Sequence, residues 1–188
     1  ASNLVAWGGP ETKTVVNIGS KDAETTQYKG GQIGTFYGDT TLNVTNADVV
    51  YEYMFIQGNL NVSDSTLALN GHDTYFRTDS ADHSIVIDNT TWTTGANTYL
   101  GAYGSTTSGG NAVVTVKGGS TINAGNLVLA STQGRNHVVS LTVDSSTINA
   151  TTKFDVGAGT SVVLTDSTLS AGSIVNNGTI NLTVTDAK

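Results

Sequence analysis

A short motif recurs along this chain of 188 residues, and its spacing limits the folds that the chain can adopt. The motif is an alternating apolar strand, a tight polar turn and a further apolar residue. Its clearest copies are residues 60–67 (LNVSDSTL), 141–148 (LTVDSSTI) and 162–169 (VVLTDSTL), with looser copies starting at residues 42, 85 and 114 and a last strand at 180. The starts are 18 to 29 residues apart. Such variable spacing favours a solenoid whose strands stack while its loops differ in length.

Composition agrees with a fold made of strands and turns. The chain has 22 glycines, one proline and only 12% charged residues, and it is rich in Thr, Val, Ser and Asn. Thr and Val favour strands, Asn and Gly favour turns, and the charged residues that favour helices are scarce. We therefore predict an all-β fold, namely a right-handed parallel β-helix or a related stacked-strand solenoid.

Alternation along each copy predicts which side chains face the interior. Leu60 and Val62 should point inward, whereas Asn61 and Ser63 should face solvent. Stacking then places one apolar residue of each coil in a buried column, namely Val62, Ile87, Val116, Val143 and Leu164. A second strand follows most copies, and the candidates are residues 53–56, 98–101, 126–129, 153–156 and 173–176.

The repeat does not extend evenly to both ends. Residues 1–41 fit it poorly and are interpreted as an N-terminal cap or an irregular first coil, whereas residues 42–188 carry the solenoid repeats, within a single domain overall. The last strand ends at Val184 and leaves an open strand edge, for which we expect a continuation in a longer parent chain.

The repeat resembles the passenger domains of bacterial autotransporters and related surface proteins. The residues that carry the resemblance are 119–127 (GSTINAGNL), 166–174 (DSTLSAGSI) and 176–180 (NNGTI), within a region of likeness that covers about residues 42–184. The resemblance implies a parallel β-helix and an extracellular or bacterial cell-surface location. It leaves the activity open, since members of this group include adhesins, proteases and carbohydrate-active proteins.

Charge and residue counts argue against several classes of protein. The net charge is −7 with eight Lys and Arg residues and no basic run, so a nucleic-acid partner is not expected. No apolar run approaches the roughly 20 residues of a membrane span. The absence of cysteine excludes disulfides and thiolate chemistry. No cofactor is expected.

Residues 71–83 (GHDTYFRTDSADH) concentrate titratable side chains and are the first candidate site. A long loop on a rigid solenoid is a common place for function, although a solvated polar loop is the simpler interpretation. His72 and His83 with an aspartate suit zinc chemically, but no metal-binding spacing is present, so no metal site is predicted. Exposed aromatic residues that could stack on sugar rings include Phe76, while Trp92 occupies a position typical of the core. The candidate binding residues are His72, Tyr75, Arg77, Asp79, Asp82, His83, Tyr99 and Tyr103.

Carboxylates in the turns are the second candidate. Stacking should bring turn aspartates together in a ladder, whose members would be Asp64, Asp88, Asp144 and Asp166. Close carboxylates can share a proton as in acid peptidases, or act as the acid and base of a glycosidase. Asp64 and Asp73 are therefore candidate catalytic residues, and capping of turns by aspartate side chains is the alternative.

Two functions follow from these patterns. The first is a non-enzymatic, adhesin-like solenoid that binds a host or mucus glycoprotein or its glycans. The alternative is a secreted hydrolase that degrades mucin-type glycoproteins as an Asp-dependent acid peptidase or a glycosidase. A structural stalk is a third possibility, and the oligomeric state is left open.

Overall fold

The computed structural model describes residues 2–7, 13–36, 39–77, 82–101, 111–129 and 138–185. These residues form strands, with no helix among them. The strands are β1 (Leu4–Trp7), β2 (Lys13–Gly19), β3 (Thr26–Phe36), β4 (Asp39–Thr45), β5 (Ala47–Gln57), β6 (Asn59–Ser63), β7 (Thr66–Leu69), β8 (Thr74–Arg77), β9 (His83–Asp88), β10 (Thr91–Thr94), β11 (Asn97–Leu100), β12 (Ala112–Lys117), β13 (Thr121–Leu129), β14 (Val139–Asp144), β15 (Thr147–Val156), β16 (Ser161–Thr165), β17 (Thr168–Ala171), β18 (Ile174–Asn176) and β19 (Thr179–Thr183). Within these ranges no helix is long and apolar enough to cross a membrane.

The strands stack as a parallel β-solenoid of about six turns, which confirms the predicted fold class. Sheet one contains, in spatial order, β2, β4, β6, β9, β12, β14, β16 and β19. Sheet two contains the remaining strands. Every pairing is parallel and joins a coil to its neighbour, as in the pairs β4–β6 and β6–β9. Residues 13–36 take part in the same way, because β2 pairs with β4 and β3 pairs with β5.

The interior is filled by apolar columns that run along the solenoid. The predicted column is confirmed: Val62 pairs with Ile87, Ile87 with Val116, and the column continues to Leu164 with every member at most 2% exposed. At the last coil the column ends in Leu182, which is 65% exposed. Burial of these columns is the main source of stability, at about 25 cal/mol per Å² of apolar surface.

Sheet two bends, so that each coil has two faces on this side. In β5 the buried apolar residues are Ala47 and Val49 before the bend, and Met54 and Ile56 after it. The alternation thus changes phase around Glu52, which is exposed. In other coils the strand is interrupted at the equivalent place, so that β7 and β8 are separate elements. The part after the bend, formed by the C-terminal ends of β3 and β5 together with β8 and β11, is called here the ladder face.

The corner between the two sheets is held by a ladder of buried or partly buried hydroxyl groups. Its members come from five successive coils and are Ser65, Thr90, Ser120, Ser146 and Ser167. Each hydroxyl accepts a hydrogen bond from a backbone N–H of the preceding coil, as Ser65 Oγ does from Ala47 N at 3.0 Å. Each also donates to a carbonyl of its own coil, as Ser65 does to Ser63 O at 2.7 Å. The recurring Ser or Thr of the motif is therefore structural.

Candidate functional site

Turn aspartates do not form the expected carboxylate ladder, because they fall into two different columns. Asp64 has a φ of 52°, which is a left-handed conformation that Asn and Asp tolerate better than other non-glycine residues. In the next coil the residue with the same conformation is Asn89, with a φ of 45°. Asp88 pairs instead with Ser63, and its other neighbour is Lys117, whose Nζ lies 4.0 Å from an Asp88 oxygen. Asp144 lies beyond Lys117. The ladder expectation was therefore wrong.

The two candidate catalytic residues lie at opposite ends of β7. Asp64 precedes this strand and accepts a hydrogen bond from Asn89 Nδ2 at 2.8 Å. Asp73 follows it and directly precedes β8. The strand between them alone spans about 10 Å at 3.3 Å per residue. Two carboxyl groups that share one proton must be in direct contact, and this placement does not provide such contact.

Asp166 is a turn carboxylate whose pKa is lowered by its hydrogen bonds. The Thr185 backbone N–H donates to it at 2.8 Å and the Thr185 hydroxyl at 2.7 Å. These donors hold the pKa of Asp166 below its usual range, the backbone bond having the larger effect. A lowered pKa suits a capping carboxylate and opposes a role as a general acid near neutral pH.

Residues 71–83 are divided between elements. His72 lies in the turn between β7 and β8, where its ring meets Tyr53 edge-on with centroids 5.4 Å apart. His83 begins β9 on sheet one, and Asp82 beside it accepts a hydrogen bond from Asn111 N at 2.7 Å. Arg77 ends β8, while Asp79 and Tyr103 lie outside the described residues. Within the described ranges no three His, Asp or Glu side chains are placed to hold a metal ion.

Aromatic residues form a ladder across four coils on the ladder face. The rings of Phe36 and Phe55 are stacked with centroids 5.1 Å apart, and those of Phe55 and Tyr75 are tilted at 5.8 Å. Tyr75 and Tyr99 are nearly parallel, with an interplanar angle of 5° and centroids 5.2 Å apart. Parallel rings in contact are about 3.5 Å apart between planes, so these two are offset sideways. All four aromatic residues are half-buried.

The first rung of this ladder depends on a glycine. Gly34 pairs with Phe55 and has no side chain to contribute to the column. The ring of Phe36, two residues further on, lies over Gly34, since a Cβ there would be 2.6 Å from Phe36 Cε2. An aromatic ring that covers a strand glycine in this way is a known device for stabilising sheets.

A groove of about 330 Å³ opens beside the ladder. Its lining residues are Tyr53, Gly71, His72, Asp73, Tyr75 and Ala96. Asp73 Oδ1 accepts a hydrogen bond from Asn97 N at 3.1 Å, which ties the groove to the next coil, and Asp73 Oδ2 accepts one from the Tyr75 hydroxyl at 3.4 Å. Aromatic walls with a few convergent polar groups are typical of a small-molecule site.

A second groove, of about 290 Å³, lies at the corner beside Asp64 and Asn89. It has no aromatic lining among the described residues, and polar groups that line it already have partners, since Asn89 bonds to Asp64 and Thr66 bonds to Asp48 outside the groove. The groove on the ladder face is the better candidate because Tyr53 and His72 make no hydrogen bond to any described residue through their side chains and remain available to a ligand.

The structure brings together three of the residues expected to bind and one expected to act in catalysis, and it corrects one expectation. His72, Asp73, Tyr75 and Tyr99 lie on the ladder face, although Asp73 was expected to act in catalysis. Phe76 was expected to be exposed, but it is 2% exposed and packs on Trp92 in the core, where Trp92 was predicted to lie. Adjacent strand residues point to opposite sides, so Tyr75 and Phe76 cannot both face solvent.

Three rings of the site were missed at the sequence level, namely Phe36, Tyr53 and Phe55. Tyr53 and Phe55 alternate with Met54 and Ile56, which are buried, so alternation within residues 53–56 was the available signal. Comparisons with known protein families, with curated proteins and with solved structures found no match. The candidate site therefore depends on the geometry of this chain alone.

Proposed function

We propose that this chain is a non-enzymatic binding solenoid, displayed on a bacterial surface or released from it, that binds glycans of host or mucus glycoproteins through the ladder face. The observation that carries the proposal is the row of offset aromatic rings beside an open polar groove. Pyranose rings have apolar C–H faces that pack against aromatic rings, while their hydroxyl groups need polar partners nearby.

Export is proposed from the resemblance to autotransporter passenger domains. A solenoid with few charges, no cysteine and a surface of hydroxyl and amide groups is consistent with that resemblance. A rigid stack of coils also holds its surface groups in fixed positions, which lowers the entropy lost when a ligand binds.

The hydrolase alternative is less well supported by the geometry. Asp64 and Asp73 flank β7, and Asp64 is already bonded to Asn89. A glycosidase needs two carboxyl groups about 5 to 9.5 Å apart across the scissile bond. Asp73 is the single carboxylate that lines the groove among the described residues.

The test is retention of the purified protein on immobilised mucin from pH 4 to 8, with release of mucin fragments measured in parallel. We expect retention without fragments. Tyr75→Val, which keeps a residue suited to a strand, should weaken binding by up to about tenfold, because an aromatic contact is worth on the order of 1 kcal/mol. Val113→Ser is the matched control, because Val113 is 51% exposed on sheet one, away from the ladder face.

Two results would contradict the proposal. Equal retention of the wild type and Tyr75→Val would show that binding does not use the ladder face. Fragment release at acid pH that disappears in Asp64→Asn or Asp73→Asn would replace the binding solenoid with the Asp-dependent hydrolase. Circular dichroism of each variant checks that the fold is kept.

A further inference from the structure

We infer that the groove beside the ladder selects a neutral sugar residue and discriminates against an acidic one; this rests on the proposed function. The inference concerns the chemistry of Tyr53, His72 and Asp73, which converge on one opening of about 330 Å³. That volume is at the lower end for ligand sites, so it suits a single sugar unit of a longer glycan.

Asp73 supplies acceptor atoms at the groove. A carboxylate has about four acceptor positions, and Asp73 uses one oxygen for Asn97 N and the other for the Tyr75 hydroxyl. The remaining positions can accept hydrogen bonds from two sugar hydroxyl groups. Such charge-assisted O–H···O⁻ bonds are roughly twice as strong as neutral ones.

Tyr53 and His72 supply the complementary groups. Their rings meet edge-on, with an interplanar angle of 85°, so they form two walls at a corner. The Tyr53 hydroxyl and the ring nitrogens of His72 bond to no other described residue. Gly71 adds no side chain to this corner. Gly71 also lies close to Glu52, since a Cβ on Gly71 would lie 2.7 Å from Glu52 Cβ.

Charge at the groove opposes an acidic sugar. Asp73 lines the opening and Glu52 lies next to Gly71. The lining contains no lysine or arginine among the described residues. A carboxylate or sulfate placed beside Asp73 would therefore meet a like charge that no lysine or arginine of the described lining offsets. Like-charge repulsion is a common means of rejecting the wrong ligand.

The experiment uses paired oligosaccharides that differ only in a terminal sialic acid or a sulfate, together with one mucin before and after removal of both groups. We expect the neutral member of each pair to bind at least about tenfold more tightly, and the treated mucin to bind at least as well as the untreated one. Binding of the neutral member should change less than about twofold between low and high salt, since screening acts on charges.

Asp73→Asn tests the residue itself, because an amide keeps the shape and the acceptor for Asn97 N while it loses the charge. This variant should bind the neutral member several-fold more weakly and should lose most of the preference. The matched control is Asp144→Asn, which should behave as the wild type. Asp144 is an exposed carboxylate beside Ser145, in a different turn of the chain.

The outcomes separate this inference from the proposed function. Tighter binding of the acidic members, with affinity that falls as salt rises, would overturn the neutral selectivity and leave a glycan-binding solenoid. Neutral preference that persists unchanged in Asp73→Asn would also overturn the inference. Binding of no glycan and no mucin at any pH would overturn the proposed function, and the inference with it.

Discussion

The hydroxyl oxygen of Ser120 lies 3.0 Å from the backbone nitrogen of Thr90 in the preceding coil and 2.7 Å from the carbonyl oxygen of Lys117 in its own. Ser120 is 1% exposed and Thr90 is 3% exposed, so water cannot easily replace this link. The side chain therefore satisfies two backbone groups at the place where the chain turns from sheet one to sheet two.

Replacement of Ser120 by alanine tests this link. The Thr90 N–H would lose its partner in a buried position, and we expect a loss of about 1 to 3 kcal/mol in the free energy of unfolding. Urea denaturation measures it. Ser84→Ala is the control, because Ser84 is exposed on sheet one, and its effect should stay within about 0.5 kcal/mol. Equal effects of the two changes would contradict the structural role of the ladder.

Asp64 offers a test of backbone strain. Its φ of 52° is in the left-handed region, where β-branched side chains are disfavoured. Asp64→Val should destabilise the protein by about 1 to 2 kcal/mol, whereas Asp64→Gly should cost less because glycine adopts this conformation without steric penalty. Urea denaturation of both variants gives the comparison. Both variants lose the bond from Asn89, so equal losses would show that this bond, and not the backbone conformation, decides the effect. A larger loss for glycine than for valine would contradict the backbone-strain argument.

Stacking of Tyr75 on Tyr99 predicts an energetic coupling between them. A double-mutant cycle with Tyr75→Val and Tyr99→Val should give a coupling of about 0.5 to 1.5 kcal/mol. Phe36 and Tyr99 occupy coils that are not neighbours, so the same cycle on this pair should give a coupling close to zero. A coupling as large for the second pair as for the first would mean that the variants perturb the whole face.

Asp166 predicts a dependence of stability on pH. Its pKa is lower in the folded chain than the ordinary 3.8, so its contribution is present above that value and is lost as pH falls through the folded pKa. The difference in unfolding midpoint between the wild type and Asp166→Asn should therefore be largest near neutral pH and shrink below about pH 4. Urea midpoints from pH 7 to the acid limit measure it. A difference that grows on acidification would contradict the assignment to Thr185.

The sequence allowed the core to be predicted better than the surface. Val62, Ile87 and Val116 stack as expected because alternation and a recurring turn determine which strand positions face inward. The neighbours of an outward-facing side chain depend instead on the register between coils. One residue of offset places Asp88 next to Ser63 rather than next to Asp64, and this offset separated the aspartates that were expected to form one ladder.

Register also explains why most of the aromatic ladder was missed. Phe55 and Tyr75 are 20 positions apart in the sequence, and Tyr75 and Tyr99 are 24 apart. The two spacings differ because the loops between the strands differ in length, so sequence spacing alone does not show that the rings are aligned. Phe36 was harder to foresee, because it reaches its place over Gly34 from a position two residues away.

The hydroxyl ladder has a consequence for how such a gene can change. Ser65 and Thr90 hold the same place in successive coils, each bonded to the coil before it. Loss of residues 65–89 would join Asp64 directly to Thr90. The Thr90 hydroxyl would then take the place of the Ser65 hydroxyl as the acceptor for a backbone N–H of the preceding coil. Duplication of that stretch would insert an equivalent coil. Recombination between two copies of the motif can thus change the length of the molecule in whole coils without requiring a new core.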